Sequence, residues 1–435
     1  MSENEKSECG GSFAKALRTL GNNMDGLREF VTTVESYLKE RQMKIAEKNA
    51  SHLTPFYLAM RKLNPEDFPT TKVSDEEVTK RFKGDISINV KDEGDGGKTA
   101  QIRISGEGKK DFDRAMAELG KNNQSIQLLY SNTLISLLSS VELFLSQLIH
   151  LYYRQFPEAV TSKDKVFSFE DLKGFDSVED ARAYLIEAKV ENVLRGSFED
   201  WMSFFKTQPK LSMGYLNSAE AQLTEACQRR NLIVHNGGIV NSIYLSKVLP
   251  EIAKKNKKGD QLLVSPKYLK DRVDLFELNG SLIAFEMWKK LSPTDEKRGQ
   301  SLINIIFSHL SAGRWAVSEG LAFFLMNDKE MSEESILIGK LNYWLSVKRQ
   351  NRWAEIKTAA EDEDMSAKSQ RFQLGWLALC EKLDEFFTLL PKVISSKQLS
   401  REELRDFPIF EEVRKDKRCN KFLPKELEKA KQTEK

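Results

Sequence analysis

A helical apolar rhythm runs through nearly the whole chain and limits what it can fold into. Leu134, Leu137, Leu138, Val141, Leu145, Leu148 and Ile149 recur at three- and four-residue intervals, the spacing that gathers side chains on one face of an α-helix. Leu17, Leu20, Leu27, Phe30, Val31, Val34 and Leu38 repeat the pattern near the start. The spacing predicts long helices over 13–50 and 109–156, the second stopped by Pro157. Shorter ones are expected at 52–63, 178–193, 198–205, 217–236 and from Pro266 through Trp288. The period changes to two only at Ile86-Ser87-Ile88-Asn89-Val90 and Ala100-Gln101-Ile102-Arg103-Ile104. These flank a glycine-rich tip and predict one β-hairpin. A lone ribbon is marginal, so this one should lean on a helix or a partner, as a spacer or as a contact surface. The expected class is mainly α.

A chain of 435 residues is too long for one ordinary core. We expect N-terminal helices plus the hairpin over 1–108, a helical bundle over 109–292, and an α-solenoid-like helical-repeat region with a basic tail over 293–435. In the last region Gly313-Arg314-Trp315-Ala316 recurs as Asn351-Arg352-Trp353-Ala354. A looser third copy runs over 372–393, with Phe386 near the aromatic position. Helix-pair repeats of this size resemble tetratricopeptide-type solenoids, which implies a protein partner or trigger docking there.

The formal net charge is +2, so contact with nucleic acid must come from local patches. Lys254, Lys255, Lys257 and Lys258 form one, as an RNA-binding loop or a solvated turn. The basic stretch 414–435 is another. The four cysteines are far apart and make no CxxC pair, which suits a reducing cytoplasm. Residues 1–11 lack an apolar signal core. The most apolar stretch, 128–153, carries Asn132, Glu142 and Gln147 and reads as a buried helix without a membrane role. No Walker loop, HExxH, GxSxG or Cys/His ligand set is present, so no metal or cofactor is expected.

The strip that carries chemistry is Gln228-Arg229-Arg230-Asn231-Leu232-Ile233-Val234-His235-Asn236-Gly237-Gly238. Its helix should open at Asn217, with Glu220 as a capping-box partner, and close on the paired glycines. Leu223, Cys227, Arg230 and Val234 fall on one stripe. An arginine on an apolar stripe must meet a carboxylate or a phosphate, because an unpaired buried guanidinium is very costly. His235 lies about 140° further round the helix. The pair therefore converges poorly within one regular helix and favours an unwound end or a second copy across a two-fold axis. A histidine with an arginine suffices in principle to cleave RNA. The imidazole is general base to the 2′-OH or general acid to the leaving 5′-oxygen, while the guanidinium holds the phosphate and its growing charge. Asn231 and Asn236 are placed to orient phosphate or imidazole. The competing structural roles are a salt bridge for Arg230 and a helix-end cap for His235.

Arg230-Asn231-Leu232-Ile233-Val234-His235 resembles the signature of HEPN-domain ribonucleases, and Ser139-Ser140-Val141-Glu142-Leu143-Phe144 is similar to that family's first bundle helix. The resemblance covers about 109–291. It implies a homodimer whose two motifs share a cleft, and a metal-independent endoribonuclease that leaves a 2′,3′-cyclic phosphate. A cytoplasmic antiphage, abortive-infection or toxin-like effector would use such an activity. By position Arg230 and His235 are catalytic and Asn231 supports them. Glu142 is a candidate partner for Arg230, and Arg229 offers a second Arg-to-His spacing. The alternative is a non-catalytic helical adaptor for dimerisation and protein binding.

Overall fold

In the computed structural model, residues 3–66, 82–92, 98–160, 167–253 and 256–424 are described. The architecture is mainly α. Helix α1 (Glu3–Lys48) begins well before the first apolar residue that marks it in sequence. It runs antiparallel to α3 (Gly108–Gln155). Their register is fixed by Asn122 Nδ2 donating to the Leu38 carbonyl at 3.1 Å and Asn49 Nδ2 donating to Glu118 at 3.2 Å. The far end of this pair is closed by a small core of Leu53, Ala115 and Leu119, against which α2 (Thr54–Leu63) sits. Strands β1 (Ile86–Asp92) and β2 (Lys98–Ile104) pair antiparallel with Ile88 opposite Ile102. As its marginal size requires, the hairpin packs on α2. Its tip and Lys254–Lys255 lie outside the described residues.

At the other end α1 and α3 enter the main core with α10 (Pro266–Leu291), where Leu20 and Phe144 close on Gly280. Phe13 stacks on Trp288 at 5.5 Å. The N-terminal half of α1 is thus a bundle member, and one buried core continues from Phe13 to Leu379. By length and composition α3 alone among the described helices could cross a membrane. Here Leu134, Leu137, Leu138, Leu148 and Ile149 are buried in protein. Around α3 pack α5 (Val178–Leu194), α6 (Phe198–Thr207) and α7 (Glu220–Asn236), preceded by the short α4 (Phe169–Leu172). Helices α8 (Ser242–Lys247) and α9 (Pro250–Ala253) hold the end of α7 through Leu232, Val240, Tyr244 and Val248.

The C-terminal region stacks α11 (Glu296–Ser311) with α12 (Trp315–Met326), then α13 (Glu333–Arg349) with the short α14 (Lys357–Glu361), then α15 (Gln370–Leu379) with α16 (Leu383–Ser395) and α17 (Arg401–Asp406). The repeat visible in sequence is a repeated corner. Gly313, Asn351, Glu381 and Lys397 all adopt left-handed backbone. After each, the next amide donates five residues back: Arg314 to His309, Arg352 to Val347, Lys382 to Leu377 and Gln398 to Val393. This closes a helix end by satisfying its free carbonyls. The third copy is therefore aligned on Leu383, which follows Lys382 as Trp315 follows Arg314. Phe386, expected at the aromatic position, is instead fully buried in a second core with Leu390 and Phe410.

Bundle and repeats are joined by a buried polar node. Arg28 donates to Asp274 and Glu277, both at 2.6 Å, and Arg314 pairs with Asp25 at 2.6 Å. His309 lies 3.7 Å from Glu277. Burial pushes the Glu277 carboxyl up and the His309 imidazole down to about 4.

Candidate functional site

Helix α7 starts at Glu220, after a 3₁₀ turn at Gly214–Leu216, with no side-chain cap at Ala219. The capping box expected at Asn217 does not form. Asn217 closes the preceding turn, its amide donating to the Gly214 carbonyl. The C-terminal stop is as expected. Gly237 (φ 59°) and Gly238 (φ 82°) are left-handed, and both amides donate to the Leu232 carbonyl. A Cβ on Gly238 would lie 2.6 Å from Gln261 Nε2. That close approach lets the segment after α7 bridge to 260–262: Val240 donates to Asp260 at 2.9 Å and Leu262 to Gly238 at 2.8 Å. The lysine loop is thereby held beside the histidine end of α7, with Lys257 and Lys258 exposed.

The expected stripe is only half buried. Leu223 and Cys227 are in the core, Arg230 is partly covered, and Val234 is 49% exposed. The last turns of α7 leave the bundle, held mainly through Leu232. Burial drives the Cys227 thiol up to about 12, so it is inert as a nucleophile.

The two arginines part company. Arg229 Nε donates to Glu225 at 2.8 Å, Nη1 donates to the Leu263 carbonyl at 2.8 Å, and the guanidinium lies 3.9 Å above the Tyr268 ring. Glu225, 2% exposed, also accepts from Tyr244 at 3.0 Å and Tyr268 at 2.7 Å. Burial opposes charge on Arg229, but Tyr268 and Glu225 outweigh it and its pKa rises. Arg229 is thus consumed by structure and is withdrawn as a catalytic candidate.

Arg230 faces the other way. Its Nη2 pairs with Glu142 of α3, as expected from position, and its buried Nε has no hydrogen-bond partner among the described residues. The side chains are 25% and 32% exposed. The pair borders a cavity of about 390 Å³ shared with Asn231, Gln228 and Cys227 of α7, with Lys247, and with Arg195, Gly196, Ser197 and Trp201 from the α5–α6 corner. The structure therefore brings Arg230, Asn231 and Glu142 together. His235 is exposed in the last turn of the same regular helix and does not line this cavity. Asn236, expected to orient phosphate or imidazole, spends its amide on the Ile239 carbonyl at 2.5 Å.

Sequence reasoning missed the cavity's far wall, which depends on the α5–α6 corner. Its one local signal is the capping box Ser197–Asp200, in which Asp200 Oδ2 accepts from the Ser197 amide at 2.7 Å. His150 and Ser146 follow Glu142 at four-residue steps on α3 and line a second cavity of about 540 Å³, which shares Leu194 and Arg195 with the first. Burial, then Arg154, lowers the His150 pKa. Among the described residues no three His, Cys, Asp or Glu side chains form a metal-binding group. Compared with known proteins, the chain matches no family model, no curated protein and no solved structure.

Proposed function

We propose that the protein is a metal-independent endoribonuclease of the HEPN type, acting as a homodimer. The observation that carries this reading is Arg230: one-quarter exposed, paired among the described residues to Glu142, and set at a polar cavity beside Asn231. A guanidinium held this way can exchange its carboxylate for an RNA phosphate. The exposure of His235 and its separation from that cavity favour a site completed by a second copy. Val234, Ile239 (43% exposed) and Ile243 (63% exposed) surround the end of α7 and offer apolar surface for such an association.

In the dimer one His235 takes the 2′-OH proton and the 2′-oxygen attacks phosphorus. The imidazolium so formed returns that proton to the departing 5′-oxygen while Arg230 of the other chain holds the phosphate, and a 2′,3′-cyclic phosphate and a 5′-hydroxyl remain. Arg230 stabilises the charge on the non-bridging oxygens. The nucleophile belongs to ribose, so DNA should resist. Lys257 and Lys258, on the loop bridged to the end of α7, are suited to flanking phosphates. An antiphage or toxin-like role in the cytoplasm, with the repeats receiving the trigger, is the biological form of this proposal. The test is RNA cleavage by the purified chain in EDTA. His235→Ala should lower it by roughly 10²–10⁴-fold with the circular dichroism unchanged, and undiminished cleavage would overturn the reading.

One observation favours a second reading, the non-catalytic adaptor. The repeats form a cavity of about 420 Å³ lined by Phe307, Ile338, Phe372 and Phe407, a size and character suited to an apolar ligand or peptide side chain. Under that reading no RNA is cut at any protein concentration, and Arg230→Ala lowers only the melting temperature.

A further inference from the structure

The cavity beside Arg230 is lined by a polar side chain, Gln228, that no described neighbour engages. Gln228 is 6% exposed and lines the cavity, and its amide, which takes no side-chain partner among the described residues, is left facing the open cavity. A polar amide turned to an open cavity is free to bond what enters it, whereas a leucine there would fill the space and offer no donor. Around it stand three cations, Arg195, Arg230 and Lys247, against one lining carboxylate, Glu142. The wall also includes Ser197 and Phe198, which open the ten-residue helix α6. The first free amides of a helix and its dipole attract anions. Carboxylates also stand behind this wall. Glu191 pairs with Arg195 itself at 3.1 Å, an exposed pair that an anion can compete with, and Asp200 accepts from Ser197 in the capping box. Glu199, in the first turn of α6, stands near Cys227.

We infer that this cavity is a phosphate subsite for a single RNA strand, in which the Gln228 amide donates to a phosphate oxygen at the floor and Arg195 and Lys247 supply charge at the wall. The inference deepens the ribonuclease reading and rests on it for the choice of RNA. Gln228 is a binding residue here, and the chemistry stays with Arg230 and His235. Loading the subsite would place the strand across the Glu142–Arg230 pair, where the neighbouring phosphodiester can displace Glu142.

The experiment uses the full chain and a single-stranded 2′-O-methyl RNA oligonucleotide, which lacks the nucleophile and cannot be cut. Gln228→Leu should weaken its binding about tenfold, while the melting temperature stays level or rises because no side-chain hydrogen bond is lost and apolar surface is gained. Lys247→Glu, an exposed change that leaves folding intact, should weaken binding and reduce the slope of log Kd against log salt by about one. Unchanged oligonucleotide affinity in both variants overturns the inference. So does a fall in melting temperature for Gln228→Leu together with unchanged binding in Lys247→Glu, since Gln228 would then be structural. The two claims fail separately. A wild-type chain that binds the oligonucleotide through Gln228 but cuts no RNA in EDTA removes the nuclease and keeps the subsite. Cleavage that ignores Gln228 and Lys247 does the reverse.

Discussion

Two carboxylates pair with the adjacent arginines of α7, and the protein treats them differently. Glu225, on α7 itself, is almost fully buried and accepts from Arg229, Tyr244 and Tyr268, while Arg229 also reaches the Leu263 carbonyl. Glu142, on α3, is about one-third exposed and among the described residues meets Arg230 alone, whose Nε has no partner there. Adjacent arginines thus sit in a finished network and in an unfinished one. Satisfied buried polar networks fix structure. A half-satisfied pair at a cavity is available to a ligand, and removing it should affect binding far more than stability.

The comparison breaks first on paired truncations. Arg230→Ala should reduce RNA cleavage in EDTA by roughly 10²–10³-fold, as loss of a transition-state donor does. Its partly exposed, singly paired site should hold the stability loss to about 1 kcal/mol. Arg229→Ala should do the opposite. Stranding buried Glu225 costs on the order of 3 kcal/mol or more, read as a large drop in urea midpoint. Any loss of cleavage there should follow the unfolded fraction.

A third node, at Glu277, sharpens the same contrast by titration. His309 is buried, its Nδ1 has no partner, and its pKa falls to about 4. An imidazole depressed in the folded state contributes stability that is full above the unfolded value near 6.5 and is lost as pH falls toward 4. The loss between pH 7 and 5 is about 2 kcal/mol. It is partly offset by Glu277, whose raised pKa favours the folded state as pH falls. His309→Gln should flatten the pH dependence of the urea midpoint over that window, and an unaltered slope would show that another group carries it. The smallest effect belongs to Gly238. Alanine at φ 82°, against Gln261, should cost about 1–2 kcal/mol. It should also loosen the lysine loop at the histidine end, weakening RNA binding while leaving the Glu225 network intact.

Much of this was legible in sequence. Helical periodicity marked α1, α3 and α10, the alternation at Ile86–Ile104 marked the hairpin, and the glycine pair marked the end of α7. An arginine where apolar residues were due called for a carboxylate or a phosphate, and the resemblance pointed to Glu142, which the structure supplies. The rest depended on tertiary placement. Only the packing of α8 and α10 on α7 shows that Tyr244 and Tyr268 converge on Glu225 and so exclude Arg229 from the site. Periodicity made Val234 a core residue, but a helix that runs past its supporting neighbours exposes its last turns whatever their hydrophobicity. The corner that brings Arg195 and Ser197 opposite Gln228 is set by the α5–α6 connection, far from the motif in sequence.

We propose that Arg230 and His235 of one chain do not form the ribonuclease site together and that two chains do. This is tested most directly by mixing inactive chains. Arg230→Ala and His235→Ala proteins, each inactive alone, are unfolded together, refolded, and assayed on RNA in EDTA. Mixed dimers across a two-fold axis contain one intact Arg230–His235 pair drawn from different chains. Cleavage should therefore return to about a quarter of the wild-type rate. If mixed dimers form and no cleavage returns, while the wild type remains active, the pair works within one chain and the account is contradicted.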